Sequence, residues 1–207
     1  MKEILPVSYS DARRKIRGGD LLLFRPRGFI SQAIAVAGRS EYTHAAMAGW
    51  WNGRLMCVEM CARGGRARLL SNVVRRSPGT IDVYQAGSGL NAAAGAARSF
   101  SRRTAVRAMI DITGRRYGWF NLFRAALLHL PLLRFLVQPE LNDAADDAWP
   151  PFCSQAVAAA TRAGGVDPVP NLADRLTEPA DLARSAFYAY QFTLIPEKEP
   201  CENSSSN

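Results

Sequence analysis

The sequence predicts an α+β fold on three observations. A continuous apolar run at Leu21–Phe24 is bounded by glycine and proline, two strand-like segments flank Asn52-Gly53, and the patterning of the second half is mostly helical. With 207 residues, 48% of them hydrophobic, the chain is long enough to bury one real core. That length favours one domain over two, placed at residues 1–195, followed by a polar tail at 196–207 expected to be disordered.

In chain order, Asp11 is expected to cap a short first helix that ends at Gly18-Gly19, and Leu21–Phe24 reads as a buried strand. Ile30–Ala37 has helical composition and stops at Gly38. Thr43–Trp50 and Arg54–Met60 flank Asn52-Gly53, the dipeptide that best tolerates the two positive φ angles of a type I′ hairpin turn. A further strand is expected at Thr80–Gln85, then a glycine-rich loop and an arginine-rich helix from Asn91 to Thr113. The remainder reads as mostly helical. Residues 121–137 form an amphipathic segment, and Asp143, Asp146 and Asp147 an acidic loop that leads into Trp149-Pro150-Pro151. A helix then starts at Cys153 or Ser154 and stops at Gly164-Gly165.

The formal charge of +8 suits an anionic partner such as a cell-wall polymer or a phospholipid surface. The arginines are scattered, with no recognition helix and no aromatic-basic stacking pattern, so nucleic acid is not indicated. Four cysteines, Cys57, Cys61, Cys153 and Cys201, make no disulfide framework, and Cys57 and Cys61 are spaced as half a zinc site but, with His44 and His129 the only histidines, no second cysteine or histidine pair is there to complete it. The first twenty residues lack the apolar core and cleavage site of a secretory signal, which points to the cytoplasm, with release by lysis or a phage particle as the route outward. Residues 121–137 are interrupted by Arg124, His129, Pro131 and Arg134, so they suit peripheral membrane contact better than a span.

A two-residue Asn52-Gly53 loop sets Trp51 opposite Arg54, which in turn sets His44 opposite Cys61 with Glu59 on the same face, diagonal to the histidine. A carboxylate there can fix one imidazole nitrogen and leave the other free as a base. Cys153 stands at a helix start, where the macrodipole and free amides favour thiolate over thiol and can meet a developing oxyanion. Cys61, facing His44 in that register, is the rival nucleophile. It lacks the helix-end donors, and Cys153 ranks first.

These residues carry a resemblance. Gly19–Phe24 (GDLLLF), Tyr42–Ala46 (YTHAA), Val58-Glu59, Phe152–Val157 (FCSQAV) and Thr177–Ser185 (TEPADLARS), in that order, resemble the circularly permuted branch of the NlpC-type papain-like family, which includes lecithin:retinol acyltransferase-like proteins. The resemblance implies an antiparallel sheet packed against helices in a permuted papain-like arrangement, acyl chemistry on an amide or ester, and no metal or organic cofactor. By position it implies Cys153 as nucleophile, His44 as base and Glu59 as the third member. Tyr117 matches an aromatic position near the site, and Ser154 follows the nucleophile at the oxyanion end of the helix.

The function expected first is a cysteine hydrolase of a peptide or N-acyl amide bond, with cell-wall stem peptides as a candidate substrate. A lipid-directed acyl hydrolase or acyltransferase is the second reading, motivated by residues 121–137, and a nonenzymatic binding or assembly protein that retains the fold is the third.

Overall fold

The computed structural model describes residues 4–25, 41–88, 99–116, 151–170 and 172–196. Its centre is built from the three consecutive leucines of the sequence. Leu21, Leu22 and Leu23 are fully buried and sit in β2 (Leu21–Arg25), with β1 (Pro6–Val7) and α1 (Tyr9–Ala12) before it. Apolar residues on both faces are what a strand covered on both sides requires, and each such leucine removed from water contributes roughly 2 kcal/mol.

Next come β3 (His44–Trp51), β4 (Arg54–Cys61), β5 (Gly64–Leu69), α2 (Leu70–Arg76) and β6 (Thr80–Ala86). They are followed by α3 (Arg102–Asp111), α4 (Cys153–Ala163), a 3-10 turn at Asp174–Leu176, α5 (Pro179–Arg184) and β7 (Tyr188–Leu194). The seven strands form one sheet in the order β1-β7-β6-β2-β3-β4-β5, antiparallel at every step except the parallel β1–β7 pair. The fold is α+β. One face, through Leu21, Leu23, Met47 and Val58, packs with Ala105 and Met109 of α3 and Ala156, Val157 and Ala160 of α4. The other, through Leu22, Ala46, Ala48 and Cys57, packs with Ala12 of α1 and Leu70, Val73 and Val74 of α2.

The Asn52-Gly53 turn behaves as its chemistry dictates. Asn52 has φ 47° and Gly53 φ 72°, Trp51 pairs with Arg54, and the register runs back to Met47 opposite Val58. A second two-residue turn joins β4 to β5 and sets Glu59 opposite Arg66. Gly65 lets β5 dock on the end of α3: its N–H donates to the Arg115 carbonyl at 2.9 Å, its carbonyl accepts from Gly114 at 2.8 Å, and a Cβ there would overlap the Ile112 carbonyl.

Three expectations are corrected. The first helix is capped by Ser8, whose Oγ accepts the Asp11 N–H, and it ends at Ala12, so Asp11 lies in its first turn and Gly18-Gly19 beyond its end. Of the arginine-rich helix expected at 91–113, residues 91–98 lie outside the described residues, and the described part is a helix at Arg102–Asp111 that Ser101 caps by accepting the Thr104 N–H. The C-terminal part, expected to be mostly helical, carries the strand β7 between β6 and β1, and the segment after β4, on which no expectation was placed, is the strand β5 and a short helix. The expected helix at 30–37, the segment 121–137, the acidic loop at 143–147 and the tail at 197–207 lie outside the described residues. Among the described residues no helix is long and apolar enough to cross a membrane.

Candidate active site

The hairpin and the start of α4 bring the site together. Register puts Glu59 and His44 on the face shared with Ala46 and Cys57, and His44 Nε2 lies 2.7 Å from Glu59 Oε2. The His44 ring is further steadied by Phe24, opposite it on β2, with ring centroids 5.0 Å apart. With Nε2 engaged by the carboxylate, Nδ1 remains for the other side-chain partner of the imidazole, Cys153. Cys153 is the first residue of α4 and only 6% exposed, and the backbone amides of Ala45 and Ser154 favour the charged form of its sulfur.

Glu59 is held from its other side by two arginines. Its Oε1 accepts from Arg66 Nε at 2.9 Å, Arg68 Nε at 3.0 Å and Arg68 Nη2 at 2.7 Å. The carboxylate is 1% exposed, so each of these charge-assisted bonds acts where water competes little. Burial works to neutralise Glu59, but the hydrogen bond and charge of His44 and the charges of the two arginines hold its pKa down to about 2.

The same accounting runs through the rest of the chain of groups. Burial disfavours an imidazolium at His44, yet its hydrogen bonds to Cys153 and Glu59, and their charges, push its pKa up to about 10. Burial also disfavours a thiolate at Cys153. The His44 hydrogen bond and charge, with the Ala45 and Ser154 amides, outweigh it and bring the thiol below its ordinary value. Each shift thus favours the charged form of its group along Cys153, His44 and Glu59, beside the two guanidiniums, with opposite signs adjacent at each step.

Cys153, His44 and Glu59 thus meet at one place. The Ser154 hydroxyl is fully buried and donates to the Thr177 carbonyl at 2.7 Å, so what it offers the site is its backbone N–H. Cys61 Sγ donates to the Gly64 carbonyl at 3.3 Å across the β4–β5 turn. Tyr117 and Cys201 lie outside the described residues.

Arg66 and Arg68 were not singled out from sequence. The signal was present as the Arg-Ala-Arg alternation of β5, which puts both guanidiniums on one face, but only the β4–β5 register aims them at Glu59. Among the described residues, no group of three or more His, Cys, Asp or Glu side chains is arranged to hold a metal ion.

No protein-family model and no curated protein matches the chain. Among solved structures, the chain is similar to the metalloprotein yiiX from Escherichia coli O157:H7 (DUF1105), with a TM-score of 0.47 and 15% sequence identity over 86% of this chain and 88% of that one.

Proposed function

We propose that the protein is a cysteine hydrolase that cleaves an amide bond, of a peptide or an N-acyl amine, through a thioester on Cys153. The observation that carries this reading is the continuous relay from Glu59 through His44 to a cysteine at a helix start. A buried cysteine that served packing alone would need no imidazole on its sulfur and no carboxylate fixing that imidazole.

The Cys153 thiolate attacks the carbonyl carbon, and the tetrahedral oxyanion is met by the first-turn N–H groups that a helix leaves without internal partners. His44 gives its proton to the leaving amine as the carbon–nitrogen bond breaks, which leaves the acyl group on sulfur. The neutral imidazole then takes a proton from water as its oxygen attacks the thioester, and the carbon–sulfur bond breaks to release the carboxylic acid and restore the Cys153 thiolate beside the protonated His44. Glu59 keeps the imidazole in one tautomer and stabilises its protonated form. Arg66 and Arg68 act through Glu59, as positioning residues that keep the carboxylate ionised. The permuted NlpC-type resemblance of the sequence supports the same chemistry and directs the substrate search first to stem-peptide amides.

The test is incubation of the full chain with a panel of chromogenic amides and thioesters, with intact-mass detection of the acyl-enzyme. The expected result is turnover, an acyl adduct located on Cys153, and a loss on the order of 10⁴-fold or more in Cys153→Ala. An adduct on Cys61, or turnover that survives Cys153→Ala, would contradict the assignment.

A further inference from the structure

At the far end of the hairpin from His44 lies a surface that the catalytic chemistry does not use. Trp50 and Trp51, the last residues of β3, are 41% and 50% exposed, although large apolar side chains are otherwise mostly covered in the sheet. Trp50 is held in place, because its Nε1 donates to the Ile16 carbonyl at 3.0 Å and the Arg13 guanidinium lies 5.3 Å from its ring centroid. Arg13 Nη2 in turn donates to the Gly53 carbonyl at 2.8 Å, which ties the basic segment after α1 to the hairpin tip.

Beside Trp50 runs an open groove of about 610 Å³ lined by Gly18, Val106 and Ile110 and by Arg103, Arg107 and Asp111 of α3. Arg102, also at this groove, is fully committed to the fold through Asp20 and the carbonyls of Gly18 and Ala86. Arg103 and Arg107 are exposed, and among the described residues no hydrogen bond or ion pair engages either. Arg14, Lys15 and Arg17 are exposed in the adjoining segment, against the exposed carboxylates Asp11 and Asp111.

We infer that this face docks the protein on an anionic phospholipid surface. An apolar groove whose cations outnumber its one carboxylate, Asp111, suits interfacial binding: indole and aliphatic groups enter at headgroup depth while guanidiniums meet the phosphates. Single-stranded nucleic acid is served less well. Trp50 already carries Arg13 over its ring and the rest of the floor is aliphatic or bare, so successive bases would find no series of stacking platforms. His44 and Trp50 are six residues apart on one strand, roughly 20 Å at about 3.3 Å per residue, so docking here leaves the Cys153 site away from the membrane. The surface therefore anchors the enzyme without supplying its substrate.

The experiment is co-sedimentation of the full chain with vesicles of phosphatidylcholine alone and of phosphatidylcholine mixed equally with phosphatidylglycerol. Binding is expected only to the mixed vesicles and should weaken as salt is raised. At about fivefold per surface cation, R103Q/R107Q should bind on the order of twentyfold more weakly, and Cys153→Ala should bind as the wild type does. The inference is overturned by no binding to anionic vesicles, by R103Q/R107Q binding as tightly as wild type, or by tighter binding to a single-stranded oligonucleotide than to the vesicles.

Discussion

Two buried cysteines of this protein behave in opposite ways. Cys57, in the middle of β4, is wholly enclosed among Leu22, Ala46 and Ala48, and burial together with the nearby Glu59 charge pushes its thiol well up. Cys153 is buried almost as deeply, yet it is pulled down, because its sulfur meets an imidazole and two backbone amides. Burial alone therefore makes a cysteine inert. A reactive one appears where the fold supplies positive charge and donors at the sulfur. Glu59 sharpens the contrast, since one carboxylate raises the thiol of Cys57 directly and, by charging His44, lowers that of Cys153.

The largest way to weaken that difference short of removing a reacting group is Glu59→Gln. Without the negative charge, the imidazolium loses one of its two charged supports, and the alkaline limb of the pH–rate profile should fall from about 10 by about one to three pH units. The sign for stability follows from the depressed Glu59 pKa: its ionised form stabilises the fold above pH about 4.5, and that contribution, about 3 kcal/mol, is lost as pH falls toward 2. Thermal melts at pH 7 and pH 3 should accordingly converge more in Glu59→Gln than in wild type.

Arg68→Gln is a gentler perturbation. It removes two of the three arginine hydrogen bonds on Glu59 Oε1 but leaves Arg66, and its side chain is 37% exposed and partly screened. The expected loss is a few-fold in kcat with the alkaline limb moved down by less than in Glu59→Gln, whereas a merely structural arginine would leave that limb in place. Cys57→Ala should change the pH profile least of all, costing about 1 kcal/mol in a denaturant melt and nothing in kcat. A kinetic effect of Cys57→Ala as large as that of Arg68→Gln would blur the distinction between the two cysteines.

What the sequence made legible was local. Asn52-Gly53 fixed one turn and so one register, and that register alone places Glu59 beside His44. Pro150-Pro151 before Cys153 and Gly164-Gly165 after Ala163 bracketed the helix that carries the cysteine. What was not legible depended on partners distant in sequence. Gly64–Leu69 shows no apolar alternation and becomes a strand because it pairs with β4 and docks its Gly65 on the end of α3, so the arginines it aims at Glu59 stayed hidden. Tyr188–Leu194 did carry the aromatic and β-branched composition of a strand and was passed over. At the N-terminus the expected cap, Asp11, instead lies in the first turn, and its N–H donates to Ser8 Oγ, a cap that residue type alone did not single out.

The central claim is that His44 is what makes Cys153 differ from Cys57, and one measurement addresses it directly: the pH dependence of alkylation of each cysteine, resolved by peptide mass spectrometry, in wild type and His44→Ala. Cys153 should react selectively near neutral pH with an apparent pKa below that of an ordinary thiol, Cys57 should remain unreactive, and His44→Ala should move the Cys153 midpoint up to about 8.5 or beyond. A Cys153 that reacts no faster than Cys57, or whose profile is unchanged by His44→Ala, would contradict the account.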